Sequence, residues 1–111
     1  MKKGEIWLVN LDPTIGSEMK KSRPCLILNN DTVGKLVLKI IAPLTDFKAH
    51  YDVVPWMVTV EANKSNGLSK KSSIDLFQVR SLSQNRLAYK LGCVGDDVMN
   101  ACKVALDVVF D

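Results

Sequence analysis

The chain has 111 residues, 47% of them hydrophobic and 24% charged, and carries a formal net charge of +3 at pH 7. That length allows one domain, here taken as residues 1–111, with a modest core that burial of further surface in a dimer would reinforce. The charge permits contact with a polyanion but does not demand it.

The three cysteines, Cys25, Cys93 and Cys102, are odd in number, and no two have C-x-x-C spacing. They argue against a disulfide scaffold and a zinc site and fit a reducing compartment. Lys2-Lys3 turn to Gly4-Glu5 before any apolar stretch forms, so no secretory leader is expected. No run approaches the roughly 18 apolar residues of a membrane span. The expectation is a cytoplasmic protein with no membrane contact.

In chain order, Ile6 to Leu11 reads as a first strand, rich in β-formers and bounded by Gly4 and Asp12-Pro13. Residues 12 to 22 read as a loop, because Pro13, Gly16, Ser17 and Lys20-Lys21 break any periodicity. Pro24 to Leu28 is a short continuous apolar run, consistent with a fully buried strand. Asn29-Asn30-Asp31 and Gly34 mark a turn. Leu36 to Ala42 follows as a strand ending at Pro43, and 45 to 52 as a polar loop. Val53 to Val60 reads as a fourth strand, with Pro55 suggesting an edge or a bulge. Asn66-Gly67 is a turn signal, and Ser73 to Leu82 reads as a fifth strand. Gly92 and Gly95 bracket a short apolar stretch. From Asp96 onward, Val98, Cys102, Ala105, Leu106 and Val109 recur at helical spacing. Asp96 and Asp97 suit the helix start by capping and by the dipole. Strands closed by one terminal helix make an α+β pattern.

Pro24 limits the residue before it to extended conformations, which holds Arg23 at the mouth of a strand. The planar fork of arginine matches phosphate oxygens bidentately. Pairing of Arg23 with a carboxylate such as Glu18 is an equally good reading of the residues alone. Thr45 either caps a turn or points into the same pocket as Arg23, where hydroxyl and guanidinium would share one phosphate. Gln78, in mid-strand, faces solvent or reads a partner through its amide. Lys20, Lys21 and Arg86 are either solvated or salt-dependent phosphate contacts. His50 is the only histidine, which excludes a two-histidine acid/base pair and His-rich metal motifs. Trp7 and Trp56 read as core rings rather than base-stacking platforms. Val104, Val108 and Phe110 lie off the main helical stripe and hint at a partner surface.

Gly4-Glu5-Ile6-Trp7-Leu8-Val9-Asn10-Leu11-Asp12-Pro13, Gly16, Glu18 and Arg23-Pro24 closely resemble the opening signature of the MazF/PemK/Kid family of bacterial toxins. The match continues through Pro43-Leu44-Thr45, Gly67-Leu68, Ser72, Gln78-Val79-Arg80-Ser81 and Arg86-Leu87. The resemblance implies a CcdB/MazF-type fold, an SH3-like barrel of antiparallel strands with a C-terminal helix, assembled as a homodimer. It implies a metal-independent endoribonuclease that needs no cofactor, cuts single-stranded RNA, chiefly mRNA, and arrests growth. The implied chemistry is attack by the ribose 2′-hydroxyl, leaving a 2′,3′-cyclic phosphate and a 5′-hydroxyl. The implied partner is a small acidic antitoxin of the MazE type.

By the same resemblance, catalysis falls on Arg23 and Thr45, with Glu18 shaping the pocket and Gln78 contacting RNA. Glu18 is one candidate for the base and water another, since arginine titrates above about 12. Ser17, Asp75 and Phe77 stand where Kid-type members have histidine, arginine and aspartate, so the Kid acid/base scheme does not carry over. One alternative is a CcdB-like toxin that poisons DNA gyrase, against which the ending Val108-Val109-Phe110-Asp111 lacks Trp-Gly-Ile. Another is an inactive nucleic-acid-binding relative.

Overall fold

The structure is a computed structural model and describes residues 1–12, 21–35 and 37–111. Among these residues, seven strands precede one α-helix: β1 (Glu5–Asn10), β2 (Ser22–Ile27), β3 (Leu38–Asp46), β4 (Met57–Val60), β5 (Ser72–Asp75), β6 (Arg80–Ser83), β7 (Leu87–Cys93) and α1 (Asp96–Val109). The strand path is β4-β5-β3-β2-β1-β7, with β6 also paired to β3, and every pairing is antiparallel.

The antiparallel strands and terminal helix are as expected, but the sheet does not close into a barrel. The 61–71 connection occupies the edge of β7 that β4 would need. The Cys93 N–H donates to the Ser65 carbonyl at 2.9 Å. Gly67 sits so near Leu91 that a Cβ there would lie 2.0 Å from the Leu91 carbonyl oxygen, with φ at +69°. Only glycine tolerates both the backbone angle and the approach. Asn66 holds this connection from within: its buried amide accepts from the N–H groups of Asn63 and Leu68 and donates to the Glu61 carbonyl.

Both faces of the central strands are buried, which explains the unbroken apolar run in β2. Successive strand residues point to opposite faces. Leu26 joins Ile6, Leu44, Val60 and Ile74 beneath Met99, Cys102 and Ala105 of α1. Cys25 and Ile27 join Val9, Leu11, Ile41, Leu82 and Leu87 on the other face. The second apolar set of the helix is exposed as expected, with Val104 at 65% and Phe110 at 73%. Asp96 and Asp97 lie in the first helical turn, where the dipole favours them, but Gly95 occupies the cap without a side-chain bond.

The first two strands are shifted by one or two residues from the sequence reading, and four later elements differ from it in substance. The third strand runs through Pro43 to Asp46, because it gains β5 as a new neighbour at Leu44. The fourth starts only at Met57, after a 3₁₀ turn over Ala49–Val53. The fifth splits into β5 and β6 around a 3₁₀ turn, Leu76–Gln78, whose Phe77 N–H is capped by the Asp75 carboxylate. Gln78 therefore sits in a turn, not in mid-strand. The strand β7 escapes the periodicity altogether, since as an edge strand it is half exposed.

Glu5 ties β1 to β7. Its carboxylate accepts from Trp7 Nε1 at 2.9 Å and from the Lys2 N–H, and it pairs with Lys90 Nζ at 3.0 Å. Burial works against the charge, yet these donors and the N-terminal ammonium outweigh it and hold the pKa at about 2, against 4.5 ordinarily. A depressed acid stabilises the fold above its unfolded pKa and stops doing so as pH falls through its folded one. Glu5→Gln should therefore lower the urea midpoint at pH 7 and leave it nearly unchanged near pH 2. Urea titrations at both pH values check this, and an equal loss at both would contradict it.

Candidate active site between β2 and β3

The cleft arises where β3, supported by β5 on its other edge, runs on beyond the end of its ladder with β2. From Ile41 to Pro43 it pairs with β2, and from Leu44 to Asp46 with β5. The last β2–β3 pair is Cys25 with Pro43. Continued two residues further, the same register sets Arg23 across from Thr45. Neither Pro24 nor Pro43 has an N–H to extend the ladder, and the two strand ends part. The opening holds about 270 Å³ and is lined by Lys21, Ser22, Arg23, Pro24, Leu44, Thr45, Asp46 and Ser72. Arg23 and Thr45, two residues far apart in sequence, thus share one cavity, and each is half-buried.

A second guanidinium, Arg80, stands on the same sheet face. Arg80 lies opposite Ile41, which lies opposite Ile27, and Ile27, Cys25 and Arg23 alternate onto one face of β2. Burial pushes the Cys25 thiol up to about 12, while the charges of Arg23 and Arg80 pull the other way. The sequence reading placed Arg80 in a motif but gave it no role. The alternation of Arg80 with Leu82 could have placed it on the face of the second core.

Lys21 enters the cleft from an unusual backbone. Its φ is +67°, the only positive value at a non-glycine among the described residues. Two bonds impose it: Lys21 N–H to Asp12 Oδ1 at 2.9 Å, and Leu11 N–H to the Lys21 carbonyl at 3.0 Å. Arg86 secures the same junction, donating from Nη1 to the Asn10 carbonyl at 3.2 Å and the Asp12 carbonyl at 2.6 Å. The structure thus gives Arg86 a task inside the chain, holding the backbone at Asn10 and Asp12 beside the bonds that fix Lys21. Glu18, Lys20 and Ser17 lie outside the described residues.

Gln78 donates from Nε2 to Asp75 Oδ2 at 3.1 Å, which orients its amide. Asp46, at the cleft rim, pairs with Lys70 at 2.9 Å. His50 is an exposed residue of the first 3₁₀ turn, edge-on to Tyr51. Trp7 packs against the second core and Trp56 against Phe77. Among the described residues, no group of three or more His, Cys, Asp or Glu side chains could hold a metal ion. No helix among them is long and apolar enough to cross a membrane. The described lining offers a guanidinium, a lysine and hydroxyls around one anion-sized space, with the Asp46 carboxylate at the rim paired to Lys70, and such donors can bind and polarise a phosphodiester.

An antiparallel sheet under one terminal helix, with an arginine and a threonine lining one such space, is an arrangement able to take a phosphodiester. The chain belongs to the family of PemK-like, MazF-like toxins of type II toxin-antitoxin systems, whose family model matches residues 2–110. It is 34% identical over 108 residues to the endoribonuclease MazF of Staphylococcus saprophyticus, covering 97% of this chain and 89% of that one. Among solved structures it is similar to the Mycobacterium tuberculosis toxin MazF-mt6, with a TM-score of 0.77 and 25% identity over 96% of each chain. It also superimposes on MazF of Deinococcus radiodurans, with a TM-score of 0.80, covering 99% of this chain and 96% of that one. The identity there is 24%, so that likeness is one of fold. The same Deinococcus toxin is matched in a MazE–MazF complex, with a TM-score of 0.74, 24% identity and coverage of 99% and 95%.

A left-handed backbone costs a side-chain-bearing residue about 1–2 kcal/mol, a cost glycine avoids. Lys21→Gly should therefore raise the melting temperature. Calorimetry decides: a fall would mean that the lysine side chain itself supports the fold.

Proposed function

We propose that the protein is a metal-independent endoribonuclease that cleaves unpaired mRNA, with Arg23 and Thr45 acting on the scissile phosphate. The observation that carries this reading is the shared cleft of those two side chains. In the proposed step the ribose 2′-hydroxyl gives up its proton and its oxygen attacks the adjacent phosphorus. The bond from phosphorus to the 5′-oxygen breaks, and that oxygen takes a proton. The products are a 2′,3′-cyclic phosphate and a 5′-hydroxyl.

Charge accumulates on the non-bridging oxygens as the phosphorane forms. Arg23 stabilises it with its fixed fork, and Thr45 donates a hydrogen bond to one of the same oxygens. Arg23 also suits the role of proton donor to the leaving oxygen. Glu18 is the residue we propose for the base, with water as the other source. Lys21 holds a flanking phosphate, joined by Lys20. Gln78, its amide turned by Asp75, contacts RNA. Arg86 contributes by holding the junction through which Lys21 enters the cleft, and any phosphate contact it makes is secondary.

The family description supports an antitoxin partner, which we take to be a small acidic chain of the MazE type. Exposed Val104, Val108 and Phe110 offer apolar surface for a second copy, and we propose a homodimer. Reduced, partly buried cysteines suit the cytoplasm. Gyrase poisoning is not favoured, because the matched family is the PemK-like, MazF-like one.

Removing one preorganised donor typically slows such a reaction roughly 100- to 1,000-fold. Arg23→Ala and Thr45→Val should each do so on a labelled single-stranded transcript in the presence of a chelator, with melting temperatures unchanged. Cut ends should carry a 5′-hydroxyl. Near-wild-type cleavage by either variant would remove that residue from the mechanism.

A further inference from the structure

Ser73 lies in the middle of β5 with none of its surface exposed. It is the register partner of Thr45 on β3 and of Thr59 on β4. Among the described residues, its Oγ is the one buried side-chain polar atom without a hydrogen-bond partner. The other buried polar side chains are all bonded: Asn66 to Glu61, Ser72 to Lys70, and Asp75 to Phe77 and Gln78. An unpaired buried hydroxyl is destabilising, and an apolar residue of similar size would remove the penalty. Its position suggests what the hydroxyl is for.

Residues directly opposed in an antiparallel pair hold their Cβ atoms about 4.5–5.5 Å apart, and threonine–serine hydrogen bonds are a recognised cross-strand pairing. A χ1 rotation brings two such hydroxyls within bonding distance. Thr45 has a single hydroxyl proton. When that proton is given to a phosphate oxygen, the lone pairs of Thr45 Oγ1 can accept from a neighbour. The buried O–H across the ladder is Ser73.

We propose that Ser73 is a positioning residue for Thr45. Its O–H donates to Thr45 Oγ1 when RNA is bound and turns the threonine proton toward the scissile phosphate. Ser73 lies beneath the cleft and does not touch RNA. Its contribution is to select one rotamer of Thr45 and to polarise its O–H, since linked hydrogen bonds strengthen one another. The inference rests on the proposed role of Thr45.

The experiment is a cycle of Ser73→Ala, Thr45→Val and the double variant. All are assayed on an oligoribonucleotide carrying a cut site first mapped on a long transcript. One neutral hydrogen bond corresponds to about a 3- to 10-fold change in rate. Ser73→Ala should lower kcat by that factor, leave KM unchanged and not lower the melting temperature. In the Thr45→Val background it should have no further effect. An unchanged kcat in Ser73→Ala, with Thr45→Val slow, overturns the role of Ser73 alone. An equal loss in both backgrounds overturns it too, because Ser73 would then act independently of Thr45. Wild-type cleavage by Thr45→Val overturns the reading of Thr45 and this inference with it.

Discussion

The structure turns on one strand with two sets of neighbours. One edge of β3 pairs with β6 as far as Ile41 and with β5 from Leu44, and the other edge pairs with β2 only from Ile41 to Pro43. On one edge β5 takes over from β6 and keeps β3 extended, while on the other edge the β2 ladder stops at Pro43, and the place where β2 and β3 part is an opening. Two prolines lie at that place, each without a backbone donor to lose. The cleft is therefore a consequence of how the backbone hydrogen bonds are distributed. Its walls are strand residues held by ladders on their far sides, Arg23 by Val9 and Thr45 by Ser73. Groups fixed this way need little reorganisation when charge develops between them, which is where electrostatic stabilisation is worth most.

Two acidic groups near the cleft are accounted for by their surroundings. Cys25, near two guanidiniums, would quench them as a thiolate. Burial prevents this by raising its pKa to about 12, so at neutral pH it is an uncharged wedge. Asp46, the carboxylate among the described lining residues, is matched by Lys70. Among the described lining residues the cations are Lys21 and Arg23, the kind of side chain that meets a polyanionic strand. The strain at Lys21 fits the same scheme. Its left-handed backbone is imposed by bonds to Leu11 and Asp12, and Arg86 fastens the same junction, so the lysine enters from a constrained position.

Much of this was legible in the residues. The Arg23-Pro24 step located the mouth of a buried strand, and the continuous apolar run after it announced burial on both faces. The tail from Asp96 displayed its helix and its exposed second stripe. Other features were not readable locally. Pro43 reads as a strand end in any window of sequence, and only the arrival of β5, nearly 30 residues later, keeps the strand extended through Thr45. The turn at Leu76–Gln78 depends on the Asp75 carboxylate capping Phe77, a bond that strand-like alternation conceals. The failure of the sheet to close has the same kind of cause: the Asn66-Gly67 turn was visible, but its backbone contact with Leu91 and Gly92 was not. Ser73 could not be singled out among the serines of its segment, because its meaning lies in what stands opposite.

The central claim is that the parting of β2 and β3 is where the scissile phosphate sits. The most direct test is a structure of the protein with an oligoribonucleotide that carries 2′-deoxyribose at the cut position, which removes the attacking hydroxyl. The account predicts one phosphate in the cleft, with its non-bridging oxygens within hydrogen-bond distance of the Arg23 guanidinium and Thr45 Oγ1. RNA seated on another face, with neither side chain near the deoxy linkage, would contradict it.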